Sequence, residues 1–335
     1  MAQNTYCNPL NIKEIGDPFV LRASDGHYYL YASTGSVPDG FFVWKSDDMV
    51  NWENLSYCYR ADETAWGERD FWAPECYEVN GKFYFMYSAH YKVNPNNEEE
   101  NYCLGCAVAD SPTGPFKDLT PGKPFLQMPY AIIDVDLLRD DKGNVFFDED
   151  GNITLYYSRC CYPHKVGPYE ESHIYAVKVA PDFSEVIGEP VCVLKPDQEW
   201  EGLSAPTTGR RWCEGPLTLL HDGKVYMMYS GNFFKERYYA IGCAVADDPM
   251  GPFVKYEDNP IMHDDFPRVS GPGHNSVAWT PDGKEMFIVY HIHTASDEGG
   301  FNRQVCIDRM GWDENGKLWC DGPTTTPQPA PSGTF

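Results

Sequence analysis

The amino-acid sequence predicts an all-β protein, a five-bladed β-propeller in which each blade is a small antiparallel sheet of about four strands. Three observations lead there. One hairpin pattern occurs five times along the chain. A second motif follows that hairpin twice in nearly the same words. No stretch keeps the 3.6-residue apolar spacing of an amphipathic helix, and 27 Pro and 29 Gly interrupt the chain throughout.

The hairpins are Asp25-Gly26 with HYYLYAST, Asn80-Gly81 with KFYFMYSAH, Asp150-Gly151 with NITLYYSRC, Asp222-Gly223 with KVYMMYSGN and Asp282-Gly283 with KEMFIVYHIH. Their glycines are 55, 70, 72 and 60 residues apart. Asp-Gly or Asn-Gly between strand patterns predicts a type I′ turn, which needs positive φ at both central residues. The second motif begins at Cys106 as CAVADSPTGPF and at Cys243 as CAVADDPMGPF, with a looser version, VWKSDDMVNW, from Val43. It reads as a third strand ending in a polar turn. A β-sandwich is the competing fold, but its hairpins seldom return with the same turn dipeptide and strand composition. Residues 1–335 read as one propeller domain, with repeats from about residue 10 to 322. The Pro/Thr-rich tail, 322–335, reads as a linker stub or as a strip lying along the last blade.

Composition narrows the function. Hydrophobic residues make up 42% and charged residues 23%, an ordinary globular balance. Acidic residues number 50 against 26 basic ones, a net charge of −24 that repels phosphate backbones and anionic membranes. Neither nucleic acid nor membrane is therefore an expected partner. The 23 Tyr, 18 Phe and 9 Trp suit stacked sheets and sugar-binding clefts, or simply a β-rich core. No apolar run approaches the roughly 20 residues that span a bilayer. Met1 to Leu10 has neither a basic nor an apolar signal region, which points to a cytoplasmic setting, or to secretion if a signal has been removed. The twelve Cys, scattered along strand patterns, read as buried free thiols of a reducing compartment.

A propeller gathers the first residues of its innermost strands around one channel. Asp17, in IGDPFVL, stands between Gly16 and Pro18 at the mouth of an apolar strand. It either caps a turn or does chemistry. Glu214, in WCEGPLTLL, likewise has a Gly and a Pro beside it ahead of an apolar strand. Set among Trp212, Cys213 and Leu217, it either has a raised pKa suited to a general acid or pairs in a salt bridge. Asp134 and Asp136, in AIIDVDLL, lie inside an apolar strand, where a carboxylate is costly unless paired or functional. Three carboxylates from three blades suit glycoside hydrolysis: one acid, one base that activates water, and one that raises the acid's pKa. In an inverting enzyme the acid and base stand roughly 6.5–9.5 Å apart.

GDPFVLRASDGHYYLYAS, FWAPECYEVNGKFYFMYSAH, IDVD with FFDEDGNITLYYS, EGPLTLLHDGKVYMMYSG and GPGHNSVAWTPDGKEMFIVYH together resemble the ordered motifs of glycoside hydrolase family 43. The resemblance implies a five-bladed propeller and an inverting mechanism on arabinose- or xylose-containing glycans. It implies Asp17 as general base, Glu214 as general acid and Asp134 as modulator of the acid's pKa. Asp140-Asp141-Lys142-Gly143 looks inserted, which keeps Asp136 and Asp141 as alternatives for the third site. His274, in GPGHNS, matches a channel histidine that binds substrate or ligates a calcium, although one imidazole is a poor ligand set for so hard a cation. No cofactor is otherwise expected. Arg303 matches an arginine that approaches the substrate, with Arg309 a second candidate expected to face outward. Trp72, in FWAPE, offers an aromatic platform for a pentose face or packs a blade. His291 and His293 read as core packing.

Other chemistries lack their residues. The chain has no GxSxG nucleophile elbow, no Gly-rich phosphate loop and no Cys/His grouping of a zinc site. A glycan-binding propeller without catalysis is the non-enzymatic alternative. The expected activity is that of an exo-acting α-L-arabinofuranosidase on hemicellulose or arabinan oligosaccharides, with β-xylosidase close behind and endo-arabinanase a further alternative. Long loops at 92–100 and 163–171 are expected to wall the channel into a pocket for one terminal sugar.

Overall fold

The structure is a computed structural model and describes residues 5–160, 164–295 and 298–333, with backbone alone at 295 and 298–301. Cys161 and Pro163 lie outside the described residues. Within the described residues the chain forms five antiparallel four-stranded blades in sequence order. Their inner strands are Ile15–Arg22, Gly67–Val79, Ile132–Leu137, Arg210–His221 and Gly273–Trp279. Each inner strand packs against those of the two adjacent blades, and the fifth returns to the first, so the ring closes. The predicted propeller is the fold observed.

Each repeated turn leads into the second strand of a blade, which pairs with the first. Only Asn80-Gly81 and Asp222-Gly223 make the expected turn, with φ of 51° and 74°, and 48° and 73°. At Asp25-Gly26, Asp150-Gly151 and Asp282-Gly283 the glycine alone has positive φ. Those loops are longer, closed by the N–H groups of Ala23, Asp148 and Thr280 donating to the carbonyls of His27, Asn152 and Glu285. The Asp25 and Asp282 carboxylates accept a backbone N–H two residues on, and Asp148 does the same ahead of Gly151. The acidic side chain caps the turn there instead of entering the left-handed region.

The repeated third-strand motif has a packing reason. A Cβ on Gly105 would stand 2.5 Å from Tyr87 and 2.8 Å from Trp66, and one on Gly242 would stand 2.7 Å from both Tyr229 and Trp200. In each of these blades a Tyr ring from the second strand and a Trp ring from elsewhere occupy the space beside that glycine. Between blades one and two the core is aromatic: Phe41 and Phe85 meet edge-on at 5.2 Å, and Phe85 stacks on Phe116 at 4.8 Å. Such pairs add about 0.5–1.5 kcal/mol each beyond the area they bury. The eleven cysteines among the described residues are free thiols, most of them buried. Cys103 and Cys106 do stand at CxxC spacing, but three residues along a strand put them on opposite faces.

Two features were not legible beforehand. Blades three and four share parallel pairing, Glu170–Ser172 against Arg210–Trp212 and Arg139–Asp140 against Leu219–Leu220. The chain's two ends also meet, Thr5–Tyr6 pairing with Gln328–Pro329. Arg309, outward as expected, pairs with Glu285 at 2.7 Å and donates to the Pro329 carbonyl at 3.1 Å. The described part of the tail is thus a strip along blade five. No helix among the described residues is long and apolar enough to cross a membrane.

Candidate active site

Every inner strand is bulged near its start, where register shifts fall at 16–19, 72–75, 133–136, 214–217 and 273–276. The residue opening each bulge has positive φ: Asp17 (53°), Ala73 (45°), Asp134 (55°), Gly215 (55°) and His274 (46°). That backbone is unfavourable for a non-glycine residue and persists only where its surroundings hold it. Here the hold is visible. The Ala73 N–H donates to Ser33 Oγ at 2.8 Å, Asp134 to Ser88 at 3.0 Å, Gly215 to Ser158 at 3.1 Å and His274 to Ser230 at 2.8 Å. These serines lie in the last few residues of the second strand of the preceding blade. In blade five that place belongs to His291, whose Nδ1 accepts the Asp17 N–H at 3.2 Å. The bulges turn Asp17, Trp72, Asp134, Glu214 and His274 toward the axis.

There they line a cavity of about 460 Å³ that holds all six expected residues: Asp17, Trp72, Asp134, Glu214, His274 and Arg303. Asp17 is held by a guanidinium and two imidazoles. Arg303 donates to both its oxygens, at 2.7 and 3.3 Å. His274 and His291 stand 3.4 and 3.6 Å from Oδ1. Burial pushes the Asp17 carboxyl up, but Arg303, His274 and His291 together outweigh it and hold it below the usual carboxylate range.

Glu214 has the opposite surroundings. It is buried, receives one hydrogen bond, from Tyr239 at 2.8 Å, and faces Asp134. Desolvation first, then the Asp134 charge, raises its carboxyl well above the ordinary value. Asp134 Oδ2 accepts the Gly215 N–H at 3.1 Å, the peptide next to Glu214. Burial raises Asp134 too, against the pull of His274.

The alternatives for the third carboxylate lie elsewhere. Asp136 is two residues past the bulge and points away from the cavity, accepting from Thr218 N–H at 2.9 Å and Thr218 Oγ1 at 2.6 Å. Asp141 pairs with His221 at 3.0 Å near the surface. Trp72 lies against Tyr102, ring centres 4.7 Å apart, and presents its other side to the cavity. His291 corrects its reading as mere packing, since it holds the Asp17 backbone. His293 is structural, its ring bonded to Ser270 at 2.9 Å and the Phe234 carbonyl at 2.8 Å. The walls correct the loop expectation in part. Glu100 lines the cavity, but 165–171 forms a hairpin outside it, and Phe233 and Phe234 of blade four supply that side. Among the described residues no three His, Cys, Asp or Glu groups stand together as a metal cage. The Asp17 oxygens are already taken by Arg303, so the residues here do not fit a calcium bound at His274.

The sequence reading missed Tyr239, His291 and Gly16. A signal existed for His291: four second strands carry Tyr-x-Ser or Tyr-Ser where the fifth carries Tyr-His. Gly16 is required by contact alone, because a Cβ there would stand 1.9 Å from Arg303 Cζ.

A five-bladed propeller with three carboxylates around an aromatic-walled axial cavity defines a glycosidase. The comparisons agree. A family model described as Glycosyl hydrolases family 43 matches residues 6–318, and the chain belongs to that family. It is 27% identical to the β-D-galactofuranosidase xynD of Aspergillus niger, over 87% of this chain and 77% of that one. It is 24% identical to an extracellular exo-α-(1→5)-L-arabinofuranosidase of Streptomyces chartreusis, over 85% and 82% of the two chains. Among solved structures, a thermostable family-43 glycoside hydrolase matches at 39% identity and a TM-score of 0.87, covering 98% of this chain and 99% of that one.

Proposed function

We propose that the chain is an inverting, exo-acting glycosidase that releases terminal α-L-arabinofuranosyl units from oligosaccharides, with terminal β-xylosyl units the second substrate class. The observation that carries this reading is the divergence of two carboxyls lining one cavity. Asp17 is kept ionised by three cationic or imidazole neighbours, and Glu214 is kept protonated by burial and by Asp134. Paired carboxyls with pKa values pushed apart are how one site runs acid and base steps together.

In the proposed reaction Glu214 gives its proton to the glycosidic oxygen as the C1–O bond breaks. A water attacks C1 from the opposite face and passes its proton to Asp17. The sugar leaves with inverted configuration, and solvent exchange returns both carboxyls to their starting states. Asp134 keeps Glu214 protonated until the leaving oxygen needs the proton. Trp72 supports the sugar's apolar face. The walls from Phe233, Phe234 and Glu100 support a terminal-sugar pocket. No step passes through a metal.

The test is hydrolysis of aryl α-L-arabinofuranoside, aryl β-xyloside and aryl β-D-galactofuranoside, the last because the Aspergillus niger relative is named for it. Wild type and Asp17→Asn are compared, with the first-formed anomer read by NMR. Turnover of a pentoside with inversion, lost by about 10³-fold or more in Asp17→Asn, is the expected result. A retained product anomer or near-normal Asp17→Asn activity would refute the mechanism. Preference for the galactofuranoside would refute the substrate class.

A further inference from the structure

We infer that Tyr239 is a positioning residue for the acid: its hydroxyl fixes which oxygen of Glu214 carries the proton, and its ring ties that carboxyl to the groups holding Asp17. The inference rests on the roles proposed above for Glu214 and Asp17.

Tyr239 comes from the connection between the second and third strands of blade four, just ahead of Ala240–Ala246. Its backbone N–H donates to the Glu236 carbonyl at 3.0 Å, closing a tight turn. Its side chain is buried, and its hydroxyl donates to Glu214 Oε1 at 2.8 Å. An oxygen that accepts this bond is the carbonyl oxygen of the protonated acid, which leaves Oε2 to carry the proton. When Glu214 releases its proton, the same bond is to a charged acceptor and strengthens. Tyr239 therefore both orients the acid and eases its ionisation.

The ring does the rest. It lies parallel to the His291 imidazole, centroids 5.8 Å apart and planes 13° from parallel. His291 accepts the Asp17 N–H, so its hydrogen sits on Nε2 and the ring is neutral. On blade five, Gly273 makes room for the phenol, because a Cβ there would stand 2.2 Å from the Tyr239 ring. One stacked pair thus connects the acid of blade four to the backbone of the base in blade one. A general core role gives no reason for the hydroxyl to meet the catalytic carboxyl, or for the neighbouring strand to hold a glycine beneath the ring.

The ionisable groups facing Glu214 are Asp134 and Cys160 of blade three, Asp17 of blade one and Tyr239 itself. Arg303, His274 and His291 face Asp17 from blade five. In Tyr239→Phe all of these charged groups stay; the bond donated to Glu214 goes, together with the contact between the phenol oxygen and the Ser230 hydroxyl. That bond favours the ionised carboxyl, so its loss raises the pKa of Glu214. The acid must be protonated to act, so the basic limb of the rate profile moves to higher pH.

The experiment compares wild type, Tyr239→Phe and Tyr156→Phe on the glycoside that wild type turns over best. Tyr156 is a buried Tyr remote from the cavity, bonded through its hydroxyl to the Pro249 carbonyl at 2.7 Å. In Tyr239→Phe kcat is expected to fall about 10- to 100-fold for a poor leaving group and far less for a good one, with the basic limb up by about one pH unit. Tyr156→Phe should leave the profile in place. Equal losses on both leaving groups with an unmoved basic limb would overturn the inference. If wild type turns over none of the glycosides, the functional reading falls. The inference is then decided by carboxyl NMR of protein carrying ¹³C-labelled Glu. A higher Glu214 titration point in Tyr239→Phe than in wild type supports it, and coincident titrations overturn it.

Discussion

Substituting Gly16 by Ala moves Arg303 and leaves every carboxylate in place. The new Cβ would stand 1.9 Å from Arg303 Cζ, 2.1 Å from Nε and 2.4 Å from Nη2. A carbon in ordinary contact needs roughly 3.5 Å, so the guanidinium must retreat by about 1.5 Å. Gly16 itself does not have positive φ, so Ala fits the backbone. The crowded atoms are the end of a flexible side chain, and the fold should hold. Retreat from about 4 to about 5.5 Å at an effective dielectric of about 20 removes about 1 kcal/mol of attraction to Asp17. Losing a charge-assisted hydrogen bond removes about 1.5 kcal/mol more. Together these raise the pKa of Asp17 by about one to two pH units. The sign follows from its role. As the proposed base Asp17 acts ionised, so the rate falls as pH drops through its pKa, and the acid limb must move to higher pH. The assay is kcat/KM against pH on an aryl pentoside, beside a thermal melt. Arg303→Ala should move the limb the same way, and Gly16→Ala with Arg303→Ala should move it no further than Arg303→Ala alone. An acid limb that stays in place in Gly16→Ala while Arg303→Ala moves it would refute the steric argument. Limbs unmoved in both would refute Arg303 as the holder of the base.

Glu214→Gln is expected to lose about 10²- to 10⁴-fold on glycosides with poor leaving groups and to retain much of its rate on activated aryl glycosides; equal losses across a leaving-group series would remove Glu214 from the acid role. Asp136 bears on stability. Its carboxyl is pushed up to about 7, by burial first, against Arg139 and the Thr218 bonds. A folded value above the unfolded one means the native state binds the extra proton, so this contribution is full below about pH 4 and is lost as pH rises toward about 7. Asp136→Asn should therefore flatten the fall in melting temperature between pH 5 and pH 8, and parallel wild-type and variant curves would contradict it.

Much of the fold was legible because a propeller writes its hairpin five times, and a turn dipeptide followed by aromatic strand residues survives in each copy. Asp17 and Glu214 were legible through their Gly-Pro neighbours, which the bulged strand mouth demands. Asp134 against Asp136 was not, because both sit in one apolar strand at even spacing. Only the register shift between Ile133 and Asp136 decides which faces the axis. Even spacing predicts one face for both, and a bulge between them breaks that rule. Tyr239 could not be read at all. It lies in a connection outside the repeat, and its partner is 25 residues away on the far side of a hairpin. The parallel seam between blades three and four likewise joins segments that no local pattern links.

The division of labour proposed for Asp17 and Glu214 follows from the direction in which the blades lean. At each bulge the backbone N–H reaches back to the preceding blade, so each position takes its surroundings from the blade before it. For blade one that neighbour is blade five, which presents His274, His291 and Arg303 to Asp17. For blade four it is blade three, which presents Asp134 and Cys160 to Glu214. Both carboxyls stand beside a Gly and a Pro at a bulge, yet one meets a guanidinium and two imidazoles and the other meets a carboxylate and a thiol. Their chemistry is therefore set less by their own segments than by what the adjacent blade carries at its end. Blade two makes the same point by default: its bulge holds Ala73, with Ser33 behind it, and a position built to the same pattern does no acid or base work because its side chain has nothing to ionise.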